Sequence, residues 1–277
     1  MKGRRLARRT LLYVAVIGVA ATALLPIAWT FLTSFQTQEE VYRYPPTLLP
    51  ARLHLRNYVE IFGTADYRSY VVNSVVVSAS ATAITMVLAA LAAYAFSTVR
   101  FRGNFSLMLL VLITRMVPGI ALVVPLYILA QQFEFYDTRG NLIVLYATAT
   151  LPLAIWLLKT SFDSVPASLI DAARIDGCSE LGVLWRMFVP IAAPGLVTTL
   201  LITFLANWNE FLFAQIFTAT AASKTLQVAV GQLTGAEYGI HWGNLTALGM
   251  AIMLPTVLLA VWIQRYVVAG LMSGATK

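Results

Sequence analysis

Six stretches of this chain are too long and too apolar for a water-soluble fold: residues 10–34, 70–96, 105–130, 140–162, 191–217 and 246–269. Each meets or exceeds the roughly 20 residues a helix needs to cross the hydrocarbon core of a bilayer. Inside lipid, a backbone satisfies its hydrogen bonds only as a helix or a closed barrel. Barrel strands take only about 9–11 residues, so the expected fold is all-α. The pattern predicts a polytopic membrane bundle of six transmembrane helices, a single membrane domain over 1–277 with its core at about 70–270. Composition agrees: 59% of the 277 residues are hydrophobic and 11% are charged, against about 25% charged in a soluble domain.

The basic residues orient the bundle. The net charge is +7, but the Lys and Arg residues cluster at the ends of apolar runs, which speaks for a membrane partner and against nucleic acid. With the N-terminus inside, the inner segments carry twelve Lys and Arg, five of them within the first nine residues. The outer loops carry six, and Arg115 falls within a span. The positive-inside rule then places both termini in the cytoplasm. The apolar run after MKGRRLARRT continues to about Leu32 with no small-residue cleavage site, so it reads as a retained anchor. Two outer loops, 35–69 and 218–245, are long enough to reach beyond the membrane surface. The first contains YPPTLLPARLHLRNYVEIF, whose prolines forbid one continuous helix.

Several chemistries are missing. The single cysteine, Cys178, rules out an intrachain disulfide or a thiolate cluster. His54 and His241 lie in different outer loops, far apart in sequence, so they are not read as a metal or catalytic pair. Lys224-Thr225 follows Ser223 in an outer loop and lacks the glycine-rich turn of a phosphate loop. No nucleophile signature is present. The chain is therefore expected to hold no cofactor or metal and to be no enzyme. If ATP drives it, another chain must bind that ATP.

Polar residues within spans are costly in lipid and mark a bundle interior or a cavity. Thr203, Asn207, Glu210 and Ala214 fall at helical spacing on one face of the fifth run. Asn207, Asn209, Glu210 and Phe211 are candidates to line a substrate path, with the rings of Trp208 or Phe211 as apolar walls. They equally suit bonds to neighbouring helices or to a partner chain. Arg115 sits about ten residues into the third run, roughly 15 Å deep at 1.5 Å per residue, and calls for an acid or a carbonyl inside the bundle. Pro118 and Pro125 are expected to bend that helix. A gating role and a structural bridge both fit Arg115.

One inner loop is long, from about 163 to 190, and contains DAARIDG. Ser164 can cap a first helix with Pro166 in its first turn, and Gly177 suits its end. Ser179 can cap a second helix, in which Leu181, Leu184, Trp185 and Phe188 fall on one apolar face. Ala172 and Ala173 are small enough for a partner to approach closely. An amphipathic connector resting on lipid is the other reading of the pattern.

DAARIDGCSELGVLWRMFVP resembles the EAA loop of permease subunits of bacterial ABC importers, matching at Ala172, Ala173, Asp176, Gly177 and Pro190. Asp171 stands for the usual Glu and Cys178 for the usual Ala. Asn57–Tyr58, TRMVPGIALVVPLY, FLANWNEFLFA and the C-terminal QRYVVAGLMSGATK resemble the carbohydrate-uptake branch of that family. The resemblance implies the type I importer permease fold in the bacterial cell membrane. It implies a second permease subunit, two ATPase subunits that bind ATP and Mg, and an extracytoplasmic solute-binding protein. By the same resemblance Asp171, Ala172, Ala173, Asp176, Gly177, Leu181, Leu184 and Pro190 form the ATPase-coupling element, and a sugar or sugar derivative is moved by alternating access. A non-sugar solute such as a peptide or phosphonate is the alternative within the family. A polytopic membrane enzyme and a membrane scaffold are the alternatives outside it.

Overall fold

A computed structural model describes residues 2–99, 101–234 and 239–274, with side chains described between Arg9 and Trp262. Arg100 and Lys277, which enter the charge count, and the last three residues of the C-terminal resemblance lie outside the described residues. Among the described residues every regular element is a helix. In order they are α1 (Lys2–Thr33), α2 (Gln38–Val41), α3 (Arg56–Gly63), α4 (Ala65–Thr98), α5 (Asn104–Ile113), α6 (Gly119–Gln132), α7 (Arg139–Phe162), α8 (Ala167–Ile175), α9 (Glu180–Val183), α10 (Val189–Ile191), α11 (Ala193–Trp208), α12 (Leu212–Phe217), α13 (Leu226–Thr234) and α14 (Trp242–Gly274). A 3-10 turn, Thr114–Met116, follows α5, and a π turn, Leu184–Phe188, joins α9 to α10.

Four of these helices are long and apolar enough to cross a membrane: α1, α4, α7 and α14. The third apolar run, expected as a single helix, is a bent pair, and α11, which opens the fifth, is bent against the end of the inner loop that precedes it. Residues 104–116 meet 119–132 at 89°, and residues 180–191 meet 193–208 at 86°. Counting each pair as one span gives up to six. The first bend has the cause read from sequence: Val117, ahead of Pro118, is extended, and Pro118 opens α6 as its N-cap. Pro125 breaks nothing, because α6 runs through it. At the second bend Pro194 follows Pro190 by four residues. Its ring excludes the carbonyl a continuing helix would place there, and the chain turns at Ala192.

The chain divides into two compact units. The first comprises residues 1–67 and 230–254. Here the prolines of the first outer loop leave only the short α2 and α3. A capping box closes α2: Glu40 N–H donates to Thr37 Oγ1, and Thr37 N–H donates to Glu40 Oε2 at 2.9 Å. Asn57 of the Asn57–Tyr58 pair donates to the carbonyls of Ser34 (2.9 Å) and Gln36 (3.0 Å). Tyr58 OH lies 2.8 Å from Ser34 Oγ. A Cβ on Gly243 would stand 2.5 Å from Asn57 Nδ2, so this close approach needs glycine.

The second unit comprises residues 68–229 and 255–277. Its buried surface on α4 is built from small residues, Ser74, Ser78, Ala81, Thr85, Ala89 and Ala93 among them, which let helices approach closely. The large aliphatic side chains Val75, Ile84, Val87 and Leu91 of α4 are exposed. Such a surface suits lipid. Two buried clusters occupy the two ends of α4 and α7: one around Ala89, Leu158, Leu184 and Phe188, the other around Val77, Leu142, Tyr146 and Phe217. Between them lies a polar belt. Thr85 Oγ1 and Thr150 Oγ1 are 3.1 Å apart, and Asn207 Nδ2 donates to Thr82 Oγ1 at 3.0 Å.

Candidate functional site

Two regions of the second unit carry the chemistry: the loop at 163–190 and a cavity beside α11.

The loop is two short helices joined by a turn. Pro166, in extended conformation, opens α8. Ser164 does not cap it, since its hydroxyl donates to the Ser161 carbonyl at 2.7 Å. The C-terminus is closed by a Schellman turn. Cys178 N–H donates to the Ala173 carbonyl and Gly177 N–H to the Arg174 carbonyl, each at 3.0 Å. Gly177 sits at φ 80°, the left-handed region. Ser179 caps α9 as its side chain suggested, accepting from Gly182 N–H at 3.2 Å.

The faces of these helices differ from the sequence reading. Asp171, Ala172, Asp176 and Gly177 are exposed. Ala173, expected to face a partner, is 6% exposed and belongs to the chain's own core. Its small size serves the seating of α8. Ile175, unremarked in the sequence, is 86% exposed. In the second helix the expected face Leu181–Leu184–Trp185–Phe188 does not form. The π turn widens the spacing, so Val183, Leu184 and Phe188 are buried while Leu181 and Trp185 are exposed. Pro190 is exposed in α10, two residues before the bend at Ala192.

Three side chains tie the loop together, and the sequence reading missed all of them. Arg174 on α8 grips Glu180 at the start of α9 with two bonds, Nε to Oε1 and Nη2 to Oε2, each 3.0 Å. Tyr94 OH on α4 donates to Glu180 Oε2. Arg174 and Glu180 are six apart across a turn, and Tyr94 is 86 residues away, so no periodicity signals the set. The Tyr94 ring meets Phe188 edge-on at 5.1 Å, and Phe188 meets Phe162 at 5.1 Å.

The cavity has a volume of about 500 Å³. Three of the five substrate-path candidates line it: Arg115, Asn207 and Glu210. Arg115 Nη1 donates to the Ala149 carbonyl at 2.8 Å, the carbonyl partner expected for it. Arg115 lies on the arm 104–116, ahead of the bend at Pro118, and is exposed. Asn207 is 2% exposed, and its Oδ1 has no partner among the described residues. Thr203 and Asn207 share a buried face of α11, but the helix ends at Trp208, so Glu210 and Ala214 do not continue it. The Glu210 carboxylate instead opens α12, accepting from Phe213 N–H (2.9 Å) and Ala214 N–H (3.2 Å). Asn209 and Phe211 lie outside the lining, and Asn209 Nδ2 turns back to the Leu205 carbonyl at 2.8 Å. Trp208 is buried, with its ring stacked on Phe204.

In the first unit His54 and His241, distant in sequence, line one polar cavity of about 380 Å³ with Glu39 and Glu60. Among the described residues no three His, Cys, Asp or Glu side chains gather as a metal site. Glu60 is held below the ordinary carboxylate range, chiefly by the Arg56 hydrogen bond (2.6 Å) and then by Asn244.

Residues 85–273 match the model of the binding-protein-dependent transport system inner membrane component family. Among curated proteins, the chain is 35% identical to the inner membrane ABC transporter permease protein YcjP of Escherichia coli, over 92% of this chain and 91% of the relative. It is 33% identical to the trehalose/maltose transport system permease protein MalG of Thermococcus litoralis, over 98% and 97%. It is 36% identical to the trehalose transport system permease protein SugB of Mycobacterium tuberculosis, over 94% of each. In fold it resembles a chain of a bacterial ABC transporter involved in import of the acidic polysaccharide alginate, with a TM-score of 0.80 at 21% identity, over 93% of this chain and 95% of that one.

Proposed function

The chain belongs to the binding-protein-dependent transport system inner membrane component family, and on that premise we propose that it is one of two permease subunits of an ATP-driven sugar importer. As a family member it is an inner-membrane transport subunit and not an enzyme. Relatives that move trehalose and maltose over nearly the whole chain length support a carbohydrate of that size class. Both termini face the cytoplasm, and each bent pair counts as one of six spans in a single permease domain. A second permease completes the pathway. Two ATPase subunits bind ATP and Mg and dock on α8. A solute-binding protein delivers sugar to the outer loops 35–69 and 218–245.

The observation that carries this reading is the two-sidedness of α8: Ala173 seats it in the core, while Asp171, Ala172, Ile175 and Asp176 stand exposed. A large apolar side chain that projects beside small residues and carboxylates is an anchor for a protein partner. In the cavity, Asn207 Oδ1 can accept from a sugar hydroxyl, and Arg115 keeps donors beyond the one given to Ala149. Solute and ATP-dependent closure favour different states of the bundle, and that difference drives alternating access.

The test is uptake by vesicles holding the complete transporter. Trehalose or maltose is expected to accumulate only with ATP and the binding protein, and Ala172→Arg is expected to abolish it. Uptake of peptides in place of sugars, or undiminished uptake by Ala172→Arg, would overturn the reading.

A further inference from the structure

The attachment of α8 to the rest of the chain is slight. In nine residues its only buried side chain is that of Ala173, which offers little apolar area. A push on such a helix has little packing through which to move the bundle. Besides Ala173 and the partly buried Ile170, which packs on the same core, α8 is held by the Arg174–Glu180–Tyr94 set. Both carboxylate oxygens of Glu180 are engaged: Oε1 by Arg174 Nε, and Oε2 by Arg174 Nη2 and Tyr94 OH. The two parallel bonds of the guanidinium fix the orientation of α8 as well as its distance. Tyr94 belongs to the 34-residue α4. Its ring is wedged against Phe188 of the π turn, which leads into α11, and Phe188 leans on Phe162 at the end of α7. One carboxylate therefore links the loop to α4 and, through two edge-on ring contacts, to α7 and the approach to α11.

We infer that this set is a mechanical latch, with Glu180 and Tyr94 as positioning residues that carry displacement of α8 into the transmembrane helices. An exposed ion pair of this kind adds little to stability, so its contribution is to geometry. With the latch broken, the ATPase still docks and cycles, but its stroke is dissipated in motion of α8 alone. The inference rests on the reading that α8 receives the ATPase.

The experiment measures ATP hydrolysed per sugar moved in vesicles of the complete transporter, for Tyr94→Phe, Arg174→Met and the double variant. Tyr94→Phe keeps the ring and removes only the hydroxyl, and Arg174 is a surface residue, so insertion and ATPase binding should persist. The ratio is expected to rise at least about fivefold in each single variant, the low end of measured couplings between sites. The double variant should be no worse than either single one, because both cut one link. An unchanged ratio in both single variants, with the ATPase bound, overturns the latch. A control separates the two claims: if Ile175→Asp leaves ATPase binding intact, it is the docking reading that fails.

Discussion

The turn between α8 and α9 allows a graded test at Gly177. Its φ of 80° is open to glycine and costs a residue with a Cβ about 1–2 kcal/mol. Beyond its chain neighbours no atom lies within 4 Å of where a Cβ would stand, so the penalty is that of the backbone conformation and not of tertiary crowding. Asparagine tolerates the left-handed region and should lose less than alanine. Valine, β-branched, should lose more. Proline is excluded outright: it fixes φ near −65° and removes the N–H that donates to the Arg174 carbonyl. A penalty of 1–2 kcal/mol is about a 5- to 30-fold shift in population. It weakens the apparent affinity of a partner for the folded loop by up to that factor. ATPase binding to the purified permease pair should thus fall in the order Gly, Asn, Ala, Val, Pro. Asparagine as damaging as valine, or alanine indistinguishable from glycine, would show that the left-handed turn is not what holds the loop.

Three further outcomes follow from the packing. A Cβ on Gly195 of α11 would press on Ser161 Oγ and stand 2.5 Å from Ser161 Cβ on α7, so Gly195→Ala should lower the thermal unfolding temperature in detergent and Ser161→Gly should restore it. Glu210→Ala removes the acceptor for two backbone N–H groups and should destabilise by about 1.5–3 kcal/mol, a charged hydrogen bond's range; Glu210→Gln, which keeps one acceptor, should lose less. Glu40 is drawn below its ordinary value of 4.5, chiefly by the Thr37 N–H, against a smaller opposing effect of burial. Its folded value is the lower one, so its contribution is full above 4.5 and fades as pH falls through the folded value. Protection of the amides at the start of α2, taken relative to their intrinsic exchange rate at each pH, should therefore fall on acidification, and in Glu40→Gln it should be low throughout.

What was legible in the sequence was whatever has a local signature. Apolar length marked four helices long enough to cross a membrane, Pro118 marked one bend, and Ser179 and Gly177 marked the cap and the turn. Three things had no such signature. The π turn follows from no single residue, so a helical-wheel reading put Leu181 and Trp185 on one face with Leu184 and Phe188, whereas Val183 is buried with those two and Leu181 and Trp185 are exposed. The break after Trp208 arises because the Glu210 carboxylate competes for the first amides of α12, which spacing along one helix cannot reveal. The joining of Tyr94 to Glu180 and the meeting of His54 with His241 in one cavity depend on how distant segments pack. Small residues were ambiguous in the same way: Ala172 and Ala173 look alike in sequence, yet one is exposed and the other is core.

The central claim, that α8 is where the ATPase engages this chain, is tested most directly at Ile175, which stands 86% exposed. The measurement is co-purification of the ATPase subunits with the full permease pair, comparing the native chain with Ile175→Asp. Loss of the ATPase from a variant that still inserts and still pairs with the second permease is the predicted result. An ATPase that co-purifies undiminished would contradict it.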